Sequence, residues 1–233
     1  MQPLFTRRGV WIVLLLGAIC AFEFSPLDFW LQDHFYDPLA GHWWVDKNEP
    51  LSRALFYSFP KAAIIAVGIA LIAAIVGPTR WRSTLTARGW HADRRRLILT
   101  LIAAGSVPVI VGLLKSKSNV YCPYELVRYG GFANYNRPFG PEVCGNVGDG
   151  CWPAGHASGG FALIALTLLA TSERQRAAIA AIAFAVGWAM GLYQMFKGAH
   201  FMSHTLVTFF IALTATRCAG LFCGEHYSNV RPR

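Results

Sequence analysis

The sequence predicts an all-α integral membrane protein, a bundle of six transmembrane helices with both termini in the cytoplasm. Two features of the composition support this class: hydrophobic residues make up 55% of the 233-residue chain, and charged residues only 14%. Soluble domains carry roughly 25% charged residues, because polar groups must cover their surface. The 16 Phe, 8 Trp and 8 Tyr exclude a disordered chain, since so many aromatic side chains would collapse in water. We expect residues 1–233 to form a single domain.

Six apolar stretches reach or approach the roughly 20 residues that a spanning helix needs. They are residues 9–22, 55–76, 97–114, 157–170, 177–196 and 201–223. The first and fourth are short, so their polar flanks are expected to lie near the membrane interface. Arg7 and Arg8 before the first stretch also fit a signal sequence, but no small-residue cleavage site follows cleanly. We therefore expect a retained helix.

The distribution of charge predicts how the helices are oriented. One side of the predicted bundle comprises the N-terminus, residues 78–96, residues 172–176 and the C-terminal end, with 13 of the 21 basic and 3 of the 12 acidic residues. The opposite side carries 8 basic and 9 acidic residues. The positive-inside rule places the basic side in the cytoplasm. The net charge of +9 is then a topology signal, and we expect no nucleic-acid partner for the arginine-rich loop 80–96.

Three segments are then expected to face outward, and they are residues 23–54, 115–156 and 197–200. The first is rich in aromatic residues, which favour the headgroup region of a membrane. The second contains Cys122, Cys144 and Cys151, and an outward-facing loop permits disulfides. Three cysteines leave one unpaired. A Cys144–Cys151 bond, closing the short turn CGNVGDGC, is one expectation, and no CxxC pattern indicates a zinc site instead.

The residues suited to chemistry gather at the outward ends of the last four predicted helices. They are Lys115, Gly155, His156, Lys197, His200 and His204. A helix that begins at Gly155 offers free backbone N–H groups and the positive end of its dipole, which suit an anion. His200 and His204 are four residues apart, so they share one helix face. Ionisable residues near a bilayer are costly and are functional candidates by default.

Three motifs in this region resemble those of the type 2 phosphatidic acid phosphatase superfamily. Lys115, six further residues and a Cys-Pro pair resemble the family's KxxxxxxRP. PAGH at 153–156 resembles PSGH, and GAHFMSH at 198–204 resembles the end of SRxxxxxHxxxD. The resemblance covers residues 115–204 closely. It implies a six-helix membrane protein whose active site faces outward.

By position, the resemblance implies that His200 is the nucleophile that takes the phosphoryl group and that His156 protonates the leaving alkoxide. His204 stands where the family has an Asp that orients the nucleophile, and a neutral imidazole stabilises the resulting imidazolium less than a carboxylate does. Lys115 and the Gly155 backbone would hold the phosphate oxygens. Imidazoles can perform this nucleophilic and acid–base chemistry at neutral pH. No metal and no cofactor are therefore expected.

The chain departs from the family's motifs at residues expected to bind phosphate. Cys122 replaces the arginine of the first motif, Ala154 the serine of the second, and Tyr193-Gln194 the Ser-Arg pair of the third. Two guanidinium groups that would grip phosphate bidentately are therefore missing. The possible substitutes are Lys117, Arg128, Arg137 and Lys197. Lys197 lies three residues after Gln194, on roughly the same helix face.

We predict a metal-independent lipid phosphatase that acts at the outer face of a bacterial inner membrane through a phosphohistidine intermediate. The Cys-Pro-Tyr and GAHFMSH forms of the motifs resemble the lipid A 4′-phosphatase-like subgroup, which favours a lipid A-type substrate. Undecaprenyl diphosphate, phosphatidylglycerophosphate and phosphatidic acid are alternative substrates. Three other functions stay open: a metal-dependent hydrolase with the three histidines as ligands, a lipid phosphotransferase, and a non-catalytic phospholipid-binding or transport protein. The oligomeric state is left open.

Overall fold

A computed structural model of the chain describes residues 10–138, 140 and 150–223. Within these residues the chain is mostly helical, with one short antiparallel ribbon in which Tyr36 pairs with Trp43. The ribbon strands are β1 Tyr36–Asp37 and β2 His42–Trp43. The α-helices are α1 Val10–Glu23, α2 Leu27–Asp33, α3 Pro50–Arg53, α4 Phe59–Val76, α5 Thr79–Ala87, α6 Arg94–Lys115, α7 Gly155–Ala162, α8 Glu173–Phe196 and α9 Met202–Phe222.

Four of the described helices are long and apolar enough to cross a membrane. They are Pro50–Val76, Arg94–Lys115, Glu173–Phe196 and Met202–Phe222, which correspond to the second, third, fifth and sixth predicted spans. The first predicted span is the 14-residue helix α1, and the fourth is the apolar segment Gly155–Leu169, whose second half is a 3-10 helix. Both are shorter than a spanning helix usually is. The helical class and a membrane protein are thus supported, whereas six spans and the orientation of the termini stay predictions.

Capping side chains mark the start of two long helices, and a π-helical segment lies near the start of a third. Asp93 at the start of α6 and Ser172 at the start of α8 each accept a hydrogen bond from the backbone N–H three residues further on, at 3.0 and 3.2 Å. Such caps satisfy N–H groups that a helix leaves unpaired. Helix α3 continues into α4 through a π-helical segment, Ala54–Ser58, so Pro50–Val76 is one continuous helix. Single π-helical turns inside α-helices frequently lie at functional sites.

The core lies where α6, α7, α8 and α9 meet. Its buried members include Val107, Ala154, Ala157, Phe161, Ala183 and Ala212. Small residues allow the closest helix contact: a Cβ on Gly160 of α7 would lie 2.6 Å from the Cα of Gly187 in α8. Close approach through small residues is typical of helices packed in membranes. Helix α7 is therefore held firmly against α8, which determines where its N-terminus lies.

Helix α2 attaches the N-terminal part of the chain to both helices that flank the turn between α8 and α9. Asp28 accepts a hydrogen bond from the backbone N–H of Ser203, in the first turn of α9, at 3.0 Å. The amide of Gln32 donates to the carbonyl oxygen of Met195, in the last turn of α8, at 2.8 Å. Both α2 side chains are buried. One short helix thus fixes the end of α8 relative to the start of α9.

The aromatic residues of segment 23–54 divide into two groups. Phe29 and Trp43 pack into a cluster around the fully buried Phe201, with the rings of Phe29 and Phe201 5.5 Å apart. Others stay largely exposed, and they include Phe24, Trp30 and Trp44. The expectation that this segment lies along the headgroups therefore suits only the exposed group, since the buried group closes over the turn before α9.

Candidate active site

Three imidazole rings predicted from two separate motifs lie together in the structure. The ring centroids of His156 and His200 are 6.0 Å apart, and those of His200 and His204 are 5.7 Å apart. His200 and His204 are buried, whereas His156 is half-buried. The cluster lies where α7 begins and where the turn from α8 leads into α9. Two of its rings are thus closed off from solvent, and the third is partly open to it.

The Nδ1 atom of His200 has two close neighbours. The Nδ1 atom of His204 and the Sγ atom of Cys151 each lie 3.5 Å from it. A neutral imidazole carries its proton on one nitrogen only. If Nδ1 of His200 holds the proton and donates it to His204, the Nε2 atom of His200 keeps a free lone pair. That tautomer is the one suited to nucleophilic attack.

The environment of His200 keeps its imidazole neutral. Burial, followed by the neighbouring His204, His156 and Lys115, lowers the pKa of His200 well below its usual value. The deprotonated form is the nucleophilic one. The ring is therefore in its reactive charge state at neutral pH without the help of a carboxylate.

The turn that carries His200 depends on a glycine. Gly198 has a φ of +72°, which glycine adopts at little cost, and its N–H donates to the carbonyl of Met195 at 2.9 Å. A Cβ at this position would lie 2.3 Å from the indole ring of Trp43. The turn therefore excludes any side chain at position 198, both by its backbone conformation and by the ring packed against it.

The N-terminus of α7 presents His156 beside unpaired backbone donors. The helix begins at Gly155, and no side chain of the described residues caps it. The N–H of Ala154, just before the helix, donates to the carbonyl of His204 at 3.2 Å, which attaches this N-terminus to α9. The Nδ1 atom of His156 is buried without a hydrogen-bond partner among the described residues, and its ring lies 5.0 Å from that of Tyr57. The predicted anion site at this N-terminus stays a prediction.

A disulfide joins Cys122 to Cys151. The predicted Cys144–Cys151 pairing is therefore wrong for Cys151, and Cys144 itself lies outside the described residues. The two bonded cysteines are brought together because the backbone N–H of Cys151 donates to the carbonyl of Val120 at 2.8 Å. In the family's first motif, this position holds a phosphate-binding arginine. Here the cysteine at this position joins the first motif, through the disulfide, to the segment just before the second motif.

The structure also brings a cysteine to the histidines, which the sequence did not indicate. The Sγ of Cys151 and ring nitrogens of His200 and His204 lie within 4.8 Å of one another. A zinc site generally uses three or more protein ligands. Because the Cys151 sulfur is bonded to another sulfur, this group offers only two imidazoles, and His156 is not part of it. The described residues therefore do not fit the metal site considered above.

The predicted substitutes for the missing arginines have different surroundings. Arg128 forms two hydrogen bonds with the carboxylate of Asp33, at 2.6 and 2.9 Å, so its charge is used to hold α2. Lys117 and Arg137 are exposed. Lys197 is half-buried and acts electrostatically on the imidazole of the second motif. Of these four residues, Lys197 is the one whose charge the structure connects to the histidine cluster.

Two further lysines act on the cluster. Lys115 contributes electrostatically to all three histidines, and Lys61 contributes to His156. Lys61 was not predicted as a site residue, although a lone lysine beside an apolar helix is a signal of function. Gln194, at the position of the third-motif arginine, is buried, and its Oε1 atom has no partner among the described residues.

Comparison with known proteins is informative at the level of the family. The sequence model of a family described as the PAP2 superfamily matches residues 95–222, which is more than half of the chain and includes the whole histidine cluster. No curated protein and no solved structure matches the chain.

Proposed function

Because the chain belongs to the PAP2 superfamily, we propose that it is a membrane lipid phosphatase that hydrolyses a phosphate ester without a metal ion. The family supports a phosphatase-type activity on lipid-like substrates. The observation that carries the proposal for this chain is the cluster of His156, His200 and His204 at the uncapped N-terminus of α7. In this proposal the cluster provides a neutral nucleophile, a second imidazole and anion-binding backbone groups within one small volume.

The proposed reaction has two steps. In the first, Nε2 of His200 attacks phosphorus, the bond to the lipid oxygen breaks, and His156 gives a proton to that departing oxygen. In the second, water attacks the phosphohistidine, the N–P bond breaks, His156 takes a proton from the water, His204 returns the Nδ1 proton to His200, and inorganic phosphate leaves. Splitting the reaction in this way is the usual benefit of covalent catalysis, and acid–base catalysis by a positioned imidazole contributes about 10²–10⁴-fold.

His204 is proposed to orient the nucleophile. Its Nδ1 atom accepts the Nδ1–H of His200 across 3.5 Å, which keeps the lone pair of His200 on the attacking nitrogen. When the N–P bond forms, positive charge develops on the ring of His200, and transfer of its Nδ1 proton to His204 relieves that charge. Because both rings are buried, the proton passes directly from one imidazole to the other and not through bulk water.

Phosphate oxygens are proposed to be held by the ammonium of Lys115 and by the N–H groups at the start of α7, with the half-buried Lys197 as a further cation. Backbone donors and cations directed at the phosphoryl group stabilise the charge that spreads over its oxygens in the transition state. Gln194 would supply a neutral amide where the family has an arginine. Such an amide can donate a hydrogen bond but adds no positive charge.

A lipid A-type phosphate is the proposed substrate at the outer face of a bacterial inner membrane. The motif forms Cys-Pro-Tyr at 122–124 and GAHFMSH at 198–204 support this lipid, because they resemble the lipid A 4′-phosphatase-like subgroup. Two observations support the outward orientation. The basic loops favour the opposite, cytoplasmic side, and the Cys122–Cys151 disulfide beside the site suits an oxidising compartment.

The decisive experiment is phosphate release in detergent with EDTA from a panel of lipid A, undecaprenyl diphosphate, phosphatidylglycerophosphate and phosphatidic acid. The wild type is compared with His200→Ala and with His91→Ala, an exposed histidine that serves as the matched control. We expect release by the wild type and the control and none by His200→Ala. Lipid binding without release from any member would contradict hydrolysis and favour a binding protein, and phosphate transfer to a second lipid would favour a phosphotransferase.

A further inference from the structure

The helix Pro50–Val76 forms one wall of the histidine cluster through its π-helical segment. The ring of Tyr57 lies 5.0 Å from the ring of His156, and the ring of Phe56 stacks on Tyr193 of α8 at 5.7 Å. A π-helical turn widens the helix locally and changes which side chains face a neighbour. This segment lies outside the part of the chain that the family model covers, so no family motif assigns it a role.

Two cations of this helix lie on either side of Tyr57. The Nζ atom of Lys61 is 3.5 Å from the Tyr57 hydroxyl and 5.4 Å from its ring centroid, and Lys61 acts electrostatically on His156. Arg53, four residues before Tyr57, acts in the same way on Lys197. Lys61 is thus linked to His156, and Arg53 is linked to Lys197.

Among the residues that the structure describes, the cations of this site are not found in an ion pair with an acidic residue. Ion pairs in the described part of the chain include Arg96–Asp93, Arg128–Asp33 and Arg176–Glu173. None of these pairs includes Arg53, Lys61, Lys115 or Lys197. Burial and then Arg53 lower the pKa of Lys197, because both make its charged form less favourable, at a cost in free energy. A bound anion would remove that cost.

A buried hydroxyl provides an independent sign of a missing ligand. The Tyr193 hydroxyl has no hydrogen-bond partner among the described residues, although the side chain is only 3% exposed. Buried polar groups normally have a partner. The ring of Tyr193 lies between Phe56 and the ammonium of Lys197, whose Nζ is 4.8 Å from the ring centroid. The unpaired hydroxyl thus belongs to a ring that contacts both Lys197 and the helix that carries Arg53 and Lys61.

We propose that Lys61, positioned by Tyr57, and Arg53, about one helical turn before Tyr57, bind the phosphate group of the substrate against His156. They supply the positive charge that the first and third motifs lack in this chain. Arginine and lysine are the side chains that bind phosphate most strongly, through charge-assisted hydrogen bonds. The inference rests on the proposed phosphatase function and adds phosphate-binding residues from a helix outside the family's motifs.

A simpler role for these residues is anchoring at the membrane interface, where exposed lysine and arginine side chains reach toward water. Arg53 and Lys61 are both exposed, so this role must be tested. Lys47 offers a matched control, because it is also exposed and lies 5.8 Å over a tyrosine ring, that of Tyr124. An anchoring residue would affect stability in the membrane but not the affinity for phosphate.

The test measures kinetics and phosphate binding for Arg53→Gln, Lys61→Gln, the double variant and Lys47→Gln, all as full chains in detergent. We expect each single variant to raise KM by about tenfold, the double variant by more, and Lys47→Gln to leave KM unchanged, because one charge-assisted hydrogen bond accounts for about a tenfold change. The kcat should change much less than KM, since the nucleophile and the acid remain. A double variant with the KM of the wild type would overturn the proposal.

A binding measurement separates this proposal from the proposed hydrolysis. Inorganic phosphate should raise the unfolding temperature of the wild type and of Lys47→Gln, and should raise that of the double variant much less. If the wild type hydrolyses none of the lipids but shows this difference, the phosphate site stands and the phosphatase assignment falls. If phosphate stabilises the double variant as much as the wild type, or does not stabilise the wild type, the phosphate site falls.

Discussion

Asp28 in helix α2 accepts hydrogen bonds from both the backbone N–H and the hydroxyl of Ser203, three residues after the candidate nucleophile His200. The carboxylate thus caps the first turn of α9 from a distant part of the chain. It is only 4% exposed, and burial raises its pKa to about 6. The start of the helix that follows the nucleophile is therefore held by an ionisable side chain from outside the motif region.

We expect Asp28→Ala to lower the free energy of unfolding by about 1–3 kcal/mol, because it leaves the half-buried donors of Ser203 unpaired. Asp28→Asn should keep most of the stability, since its amide oxygen can accept from the same N–H. Thermal unfolding in detergent measures both variants. An alanine variant as stable as the wild type would show that the cap contributes nothing.

The stability that Asp28 contributes should depend on pH. Because folding raises its pKa from 3.8 to about 6, the folded state binds the proton more tightly, so this contribution is complete below about pH 4 and is lost as the pH rises to about 6. Asp28→Asn should remove this part of the pH dependence. The measurement is the unfolding temperature of both proteins at pH 4.5 and 7.5, and equal pH dependence in the two would contradict the expectation.

Gly198→Ala should destabilise the protein by about 1–3 kcal/mol, the usual cost of a strained backbone conformation, and the added Cβ would also contact the ring of Trp43 at 2.3 Å. Gly105→Ala is the control, because a Cβ at that position in α6 meets nothing within 4 Å. Thermal unfolding should show a loss for Gly198→Ala only. Activity measured below the unfolding temperature should fall as well, since the turn carries His200.

The histidine cluster was predictable for two reasons. The spacing of residues within a motif is a local property of the sequence, and the ends of adjacent predicted spans are expected to meet at one face of the membrane. The disulfide was not predictable, since the Cys122–Cys151 pairing follows from a hydrogen bond between backbone segments that are distant in sequence. The cap by Asp28 on Ser203 joins residues 175 positions apart. Lys61 was visible as a lone charge beside an apolar run, but only the contact of its helix with His156 connects it to the site.

Reduction of the Cys122–Cys151 disulfide should lower both stability and activity. The bond joins cysteines 29 residues apart, and a loop of that size corresponds to a loss of about 3 kcal/mol by the chain-entropy account. Activity should fall because Cys151 lies 3.5 Å from Nδ1 of His200. The comparison is thermal unfolding and phosphate release with and without a dithiol reductant.

Two cysteine variants show whether the reductant acts through this bond. The double variant Cys122→Ser/Cys151→Ser should behave like the reduced wild type and should no longer respond to the reductant. Cys20→Ser, which removes an exposed free cysteine, should respond as the wild type does. A reductant effect that persists in the double variant would place the sensitive group elsewhere.

The contact between His204 and His200 predicts how the pH profile can be changed. Burial and the neighbouring cations and imidazoles lower the pKa of His200, so hydrolysis should continue as the pH falls below the usual range of histidine titration. In His204→Asp, a carboxylate faces the Nδ1 of His200 and stabilises its protonated form, which raises the pKa of His200. The acid limb of kcat/KM should therefore move to higher pH.

The same carboxylate should stabilise the positive charge that develops on His200 when the N–P bond forms, so His204→Asp should keep or increase kcat at pH 8. His204→Asn is the matched control, because it has the same shape without the charge and should leave the acid limb near its original position. Measurement of kcat/KM from pH 4 to pH 9 compares the three proteins. An acid limb that does not move in His204→Asp, or that moves equally in His204→Asn, would show that His204 does not act on the nucleophile through charge.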